Sequence, residues 1–213
     1  MQKKAIVIGI AGASGSGKTR LAKMLYARLG EKHALLLHHD NYYKDQSDLS
    51  VAQRIKINYD HPDSLDTALL IKHLHALSQG HAIEQPKYNF SRHSRESTGI
   101  SCKPRPVIIV EGILILSDKK LRSMFDRMVY IEEDDDICFI RRASRDMRER
   151  GRDFDLIAEQ YLQSVKPMFQ QFVLPSKQYA DDILCTEHER CRFIDSVVSD
   201  SFDFPYDGRI SQR

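Results

Sequence analysis

The chain has 213 residues, 41% of them hydrophobic and 29% charged, and 32 basic against 30 acidic side chains leave a formal net charge of +2. These values describe an ordinary folded α/β-sized domain and exclude fibrous and disordered classes. A charge so near balance also argues against a nucleic-acid or membrane surface held by bulk electrostatics, so any basic site must be local.

The N-terminus, Met1-Gln2-Lys3-Lys4 followed by an apolar run and Ala11-Gly12-Ala13, imitates a secretory leader with its cleavage site. That reading is rejected, because cleavage would destroy the loop described next. No other apolar run approaches the roughly 20 residues of a membrane helix. Cys102, Cys138, Cys185 and Cys191 show no metal-ligand spacing and are expected to be reduced thiols in a cytoplasmic protein.

Ala5–Ile10 is continuously apolar, as in a central parallel strand covered on both faces. It runs into Gly12-Ala13-Ser14-Gly15-Ser16-Gly17-Lys18-Thr19, which fits G-x4-G-K-[ST]. The glycines let the backbone curl so that successive N–H groups face phosphate. Lys18 neutralises the β and γ phosphates, and the Thr19 hydroxyl is a Mg²⁺ ligand. A predicted helix, Thr19 to Leu29, aims its positive end at the same anions. The chain lacks the Asn-Lys-x-Asp and Asp-x-x-Gly motifs of GTPases and the Leu-Ser-Gly-Gly signature of transporter ATPases. A small-molecule kinase is the leading reading.

A second strand is predicted at Ala34–Leu37. Beyond it, after His38-His39, stands Asp40, at the strand end where a kinase needs a carboxylate to take the acceptor hydroxyl's proton. In Asn58-Tyr59-Asp60-His61-Pro62-Asp63, Pro62 makes a rigid, non-helical segment. Asp60 could accept hydrogen bonds from a ribose diol, whereas Asp63 and Ser64 read as N-caps of a helix beginning near Leu65. Leu70, Leu74 and Leu77 mark that helix, stopped by Gly80.

Gly80–Lys103 breaks the rhythm. Short β-like pieces, His81–Gln85 and Thr98–Cys102, flank a polar, aromatic loop and predict an inserted hairpin at about residues 80–103. Tyr88 and Phe90 alternate onto one side of an extended segment. They could stack on a base with His93 at its edge, or simply pack the hairpin onto the domain; both readings stand.

Val107–Val110 is the next buried strand and closes on Glu111, a Walker B arrangement with Glu in place of Asp, suited to holding Mg²⁺ through water. A strand at Met128–Ile131 precedes a helix from about Asp134. Arg141, Arg142, Arg145, Arg148, Arg150 and Arg152 fall within twelve residues against only Asp146 and Glu149. A basic helix end with a hinge at Gly151 is what a lid over a triphosphate needs, placed at about residues 141–153. Ile157, Tyr161, Val165, Met168 and Phe172 mark a further helix, bent near Pro167, and Ile183–Cys185 a last strand. The tail, about 203–213, lacks periodicity and reads as a loose end. Strands alternating with helices give a doubly wound α/β fold in one domain spanning residues 1–213.

Taken together, the motifs resemble the uridine–cytidine kinase family. The matching pieces are Ile10 through Lys18, His39-Asp40-Asn41-Tyr42-Tyr43, Tyr59 through Asp63, Pro86-Lys87-Tyr88-Asn89-Phe90, Glu111-Gly112-Ile113-Leu114, and Arg145-Asp146 through Asp153. The likeness continues through Gln160, Lys166-Pro167 and Tyr179-Ala180-Asp181 and covers about residues 4 to 185. It implies a P-loop three-layer sandwich with a parallel five-stranded sheet. The activity it implies is transfer of the γ-phosphoryl of ATP or GTP to the 5′-hydroxyl of uridine or cytidine. Asp40 would be the base and a Mg²⁺ neighbour. Asp60, Arg142 and Gln160 would hold the ribose hydroxyls, and Tyr88 and His93 would read the pyrimidine edge. Tyr43, Tyr59 and Phe90 would line its pocket, and Arg145, Arg150 and Arg152 would clamp the triphosphate. The resemblance also implies a cytosolic homotetramer inhibited by UTP or CTP. Tyr59 stands where some relatives carry Phe. Kinases of phosphoribulose or pantothenate are the nearest rivals, but their acceptors leave the Tyr88/Phe90/His93 hairpin unexplained. A nucleotide sensor on a kinase fold would not need the base.

Overall fold

The computed structural model describes residues 5–55, 57–90 and 92–202. Its centre is β1, Ile6–Gly12, followed by the phosphate loop and α1, Lys18–Leu29. Then come β2, Ala34–His38, a 3₁₀ turn at His39–Tyr42, α2, Val51–Ile55, a second 3₁₀ turn at Pro62–Ser64, and α3, Thr67–Ser78. The inserted region holds β3, Ile83–Gln85, β4, Tyr88–Asn89, β5, Ser94–Arg95, and β6, Ile100–Cys102. The chain returns to the sheet with β7, Val107–Glu111, α4, Lys119–Arg122, β8, Arg127–Ile131, and α5, Asp135–Arg150. A helical path from α6, Phe154–Gln160, through α7, Lys166–Met168, and α8, Leu174–Ser176, leads to β9, Asp182–Leu184, and α9, Glu187–Phe202. The tail expected at 203–213 lies outside the described residues.

The main sheet has the order β2-β7-β1-β8-β9 and all its pairings are parallel. Each apolar run read as a strand is a strand of this sheet. Side chains alternate across a strand, so a run buried on both sides supplies two cores. Val7 and Ala11 of β1, with Ile108 and Val110 of β7, pack under α3 with Leu70, Leu74 and Leu77. Ile8 and Ile10, with Val107 and Ile109, pack against Leu21, Leu25 and Leu29 of α1 and Phe193, Ile194 and Val197 of α9. β1 runs two residues beyond its apolar stretch because Ala11 and Gly12 pair with Tyr130 and Ile131 of β8.

The hairpin expected at 80–103 is present as β3 paired antiparallel with β6, Ile83 opposite Cys102. A smaller pair inside it, β4 with β5, sets Tyr88 opposite Arg95. Among the cysteines, Cys102 and Cys138 are buried, Cys185 and Cys191 exposed, and all four are free. No helix among the described residues is long and apolar enough to cross a membrane.

One local expectation changes. Asp63 and Ser64 are not caps of α3: they lie in the 3₁₀ turn, and Asp66 is the N-cap, its side chain accepting from the Leu69 N–H at 3.1 Å. Leu65 pairs with Tyr43 in an isolated bridge, so the helix cannot start there. Near Pro167, where a bend is expected, the helical path continues in widened form. π turns at Tyr161–Val165 and Phe169–Val173 precede the Lys166-Pro167 and Leu174-Pro175 pairs. Proline lacks an N–H and collides with the carbonyl four residues back, and a wider turn gives that carbonyl room.

Leu74 is fully buried on α3, whereas Leu156 is 64% exposed. Leu74→Ala should lower the unfolding free energy by about 2–5 kcal/mol, and Leu156→Ala by less than about 0.5 kcal/mol. Equilibrium denaturant titration checks both, and equal losses would contradict the two-core account.

Candidate active site

The parallel register brings the C-terminal ends of β1, β2 and β7 side by side, the crevice where open α/β sheets place their ligands. From β1 springs the phosphate loop. Gly15 has φ +92 and Gly17 φ +96, both left-handed, and a Cβ on Gly15 would collide with the Cys138 carbonyl of α5. The loop can therefore curl only with glycine there. Gly17 is the N-cap of α1 with no side-chain cap, which leaves the first N–H groups of α1 for an anion. Lys18 is buried and its Nζ donates to the Ala13 carbonyl across the loop at 3.4 Å.

The Thr19 hydroxyl donates to Glu111 Oε2 at 3.0 Å. Glu111 Oε1 meets His38 Nδ1 at 2.6 Å. Burial by itself would raise the Glu111 carboxyl, but the His38 hydrogen bond, the Lys18 charge and the Thr19 hydroxyl outweigh it and hold Glu111 ionised below its ordinary value. Asp40, in the 3₁₀ turn after β2, moves the other way. Burial and the Glu111 charge raise it above the ordinary carboxylate range, opposed by Lys18, Arg150 and Arg145. Two carboxylates pushed apart in this way suit different tasks. Thr19, Asp40 and Glu111 offer hard oxygen donors, the chemistry of Mg²⁺ rather than of softer metals.

One cleft is lined by Ser14, Lys18, Thr19 and Asp40. Tyr43, Tyr59, Asp60, Tyr88, Phe90 and His93 line it as well, together with Arg142, Arg145, Arg150, Arg152 and Gln160. The residues predicted for the acceptor thus converge on one cavity. Tyr43 and Tyr88 rings stand 5.0 Å apart, Tyr88 and Phe90 5.3 Å, and Tyr59 stacks on His93 at 4.8 Å. The Tyr59 and Tyr88 hydroxyls are buried and interact with each other, so each pairs with the other and keeps capacity for one more partner. An apolar wall carrying a few buried hydroxyls fits a flat ligand with a polar edge. Burial, then the Asp40 and Asp60 charges, keep the Tyr43 phenol protonated.

His93 is the described non-glycine residue with positive φ, 49°. Burial and the charges of Arg152, Arg150 and Arg54 lower its pKa, so it is neutral near pH 7. Arg152 Nη2 lies 3.5 Å from His93 Nε2. A guanidinium can only donate, which assigns Nε2 as the acceptor and leaves the hydrogen on Nδ1. Arg152 also donates to Gln160 Oε1 at 2.9 Å. Expected among the phosphate arginines, Arg152 here contacts the acceptor side of the cleft. Arg145 and Arg150 ion-pair with Asp146 at 2.9 and 3.2 Å, and Arg150 lies over the Phe90 ring at 5.1 Å. Asp60, buried, stands 3.7 Å from Arg142.

Three residues at the site carry roles that sequence reasoning did not see. His38 holds Glu111, and Ile113 lines the cleft. Asp146, noted only as an opposing charge, is fully buried beneath the arginines. Its position in the Arg145-Asp146 pair was the available signal, but spacing cannot show that an acid on a basic helix points inward.

A parallel sheet in this order, with a glycine-rich loop between strand and helix and a second-strand carboxylate beside it, defines a P-loop phosphotransferase class. Residues 7–190 match the Phosphoribulokinase / Uridine kinase family. A uridine kinase of Geobacillus kaustophilus is 49% identical over 199 residues, covering 93% of this chain and 94% of the relative. One of Proteus mirabilis is 50% identical over 182 residues, covering 84% and 85%. Phosphoribulokinase from Rhodobacter spheroides shares the fold, with a TM-score of 0.64 at 13% identity over 85% of this chain and 70% of that one. The chain belongs to the phosphoribulokinase/uridine kinase family.

Without metal or nucleotide, the Asp40 carboxyl should titrate above the ordinary aspartate value, and Glu111→Gln should lower its midpoint by removing the neighbouring negative charge. Carbon-detected NMR of the aspartate carboxyls measures both, and an upward move on Glu111→Gln would contradict the assignment.

Proposed function

We propose that the protein is a uridine/cytidine kinase that transfers the γ-phosphoryl of ATP or GTP to the nucleoside 5′-hydroxyl, giving UMP or CMP. The observation that carries this reading is one cleft lined both by the phosphate loop and by a cluster of aromatic side chains with buried hydroxyls. The uridine kinase relatives, near 50% identity over most of the chain, support the same acceptor. Phosphoribulose would leave the aromatic end of the cleft empty.

In this reading the backbone N–H groups of Gly12 to Thr19 and Lys18 cradle the triphosphate, and Arg145 and Arg150 turn towards the transferring group. Asp60 and Arg142, with Gln160, hold the ribose diol. Tyr88 and neutral His93 address the pyrimidine edge between the walls of Tyr43, Tyr59 and Phe90. These contacts align the 5′-hydroxyl with the γ-phosphorus. Asp40 accepts the hydroxyl proton as the O–P bond forms and the nucleoside diphosphate leaves. Its raised pKa suits a carboxylate that must keep that proton until product departs. Thr19, Glu111 and Asp40 would hold Mg²⁺, which supplies charge neutralisation at the phosphates. One kinase domain with a lid at about 141–153, a cytosolic homotetramer and feedback by UTP or CTP complete the reading, carried from the family resemblance.

A coupled assay of nucleoside diphosphate release, with Mg²⁺ and ATP or GTP, should respond to uridine and cytidine and not to adenosine, thymidine, ribulose 5-phosphate or pantothenate. Turnover with ribulose 5-phosphate alone would overturn the acceptor. Asp40→Asn should lower kcat by about 10²–10⁴-fold with nucleoside binding retained, and near-normal turnover would remove Asp40 from the base role. Asp60→Ala should raise the uridine KM by about 10–100-fold, and an unchanged KM would contradict the ribose assignment.

A further inference from the structure

Asp146 has no task in the mechanism above, yet it touches most of the arginines that do. Its side chain is completely buried. One oxygen, Oδ1, pairs with Arg145 at 2.9 Å and with Arg150 at 3.2 Å. Its backbone carbonyl accepts the N–H groups of Gly151 and Arg152, so the same residue ends α5 and starts the segment that carries Arg152.

The other oxygen, Oδ2, is buried and has no hydrogen-bond partner among the described residues. It faces Arg142 Nε, which is buried and unpartnered as well, across 3.8 Å. On its far side Arg142 Nη1 stops 3.7 Å from Asp60 Oδ1. Both separations exceed hydrogen-bonding distance. Arg142, 8% exposed, therefore stands between two carboxylates at ion-pair range and bonded to neither. A buried donor and a buried acceptor left facing each other carry a standing cost that a small movement removes.

We propose that Asp146 is a positioning residue that couples the nucleoside site to the triphosphate site through Arg142. The inference rests on the proposed function for the identity of the two ligands. A nucleoside whose ribose hydroxyls engage Asp60 and Arg142 fixes the guanidinium and closes its Nε–H onto Asp146 Oδ2. The Asp146 charge is then shared with a third arginine and holds Arg145 and Arg150 less tightly. Those two turn to the phosphates, each giving up one carboxylate contact for an anion of higher charge. The path is a connected set of charged side chains, Asp60, Arg142, Asp146, Arg145 and Arg150, with an unmade bond at its centre as the element that changes. Linkage makes the effect reciprocal: the triphosphate tightens the nucleoside by the factor by which the nucleoside tightens the triphosphate.

The test is calorimetric binding of uridine and of a non-hydrolysable ATP analogue with Mg²⁺, each alone and with the other saturating. In the wild-type protein each ligand should tighten the other by about tenfold. Asp146→Asn keeps the shape and removes the charge. It should still bind both ligands, with the mutual effect reduced to within twofold of unity, while a merely structural role would weaken both ligands and leave their ratio intact. Independent binding in the wild type, or tenfold coupling surviving in Asp146→Asn, overturns the proposal. If thermal unfolding shows that Asp146→Asn is not folded, Arg142→Lys replaces it. Lysine has no Nε–H fork to bridge Asp60 and Asp146, so coupling must vanish there, and its survival is equally fatal. Failure of the wild type to bind either ligand alone overturns the proposed function together with this inference, whereas tight but independent binding overturns the inference alone.

Discussion

The parallel ladder between β1 and β7 is the constraint on which the rest of the site depends. Ile10 stands opposite Glu111, so the strand that feeds the phosphate loop and the strand that ends on the acid finish at the same level. β7 pairs on its other edge with β2, setting His38 opposite Glu111. Thr19, Glu111, His38 and Asp40 therefore meet although they come from three separate parts of the chain. A slip of one residue in either pairing would turn Glu111 towards the other face of the sheet and empty the site of its second carboxylate.

Charge is concentrated where the fold brings these ends together. The chain is nearly neutral as a whole, yet Lys18, Arg142, Arg145, Arg150 and Arg152 border one cleft. Burial disfavours such crowding and lowers the Arg150 pKa, with the neighbouring arginines adding to it. Asp146 beneath them and Asp60 beside them offset the repulsion. A buried acid surrounded by arginines is thus the condition for holding a basic site open, and its unsatisfied oxygen gives that site something to change when ligand arrives.

The acceptor end is built by different means. The inserted hairpin is tied to the domain by Arg95, which donates to the Tyr43 and Tyr42 carbonyls at 2.6 and 3.1 Å and to Asp66 at 3.3 Å. Asp66 is at once that partner and the N-cap of α3, so one carboxylate fixes both the helix start and the pocket wall. With Tyr43 held from behind, the aromatic side chains of β4 and of the segment near Tyr59 close a pocket whose polar atoms are few and defined in position.

By itself the sequence determined the strands of the main sheet, the phosphate loop, and the residue types of the site. Those signals are local: a run buried on both faces, glycines at fixed intervals, an acid at a strand end. It also determined that Tyr88 and Phe90 share one side, since an extended segment alternates its faces. Only the tertiary structure decided that Tyr88, Phe90 and His93 line the cleft beside the phosphate loop while Tyr88 and Phe90 also pack in the core, because their partners Tyr43 and Tyr59 come from more distant segments. It decided that Asp66 and not Asp63 caps α3, since the bridge between Tyr43 and Leu65 claims the intervening backbone. It decided that Arg152 turns to His93 and Gln160, and that Asp146 points inward. Helical spacing ranks neighbours along one helix, whereas burial and long-range pairing depend on what the other elements place against it, and no spacing within a single segment carries that information.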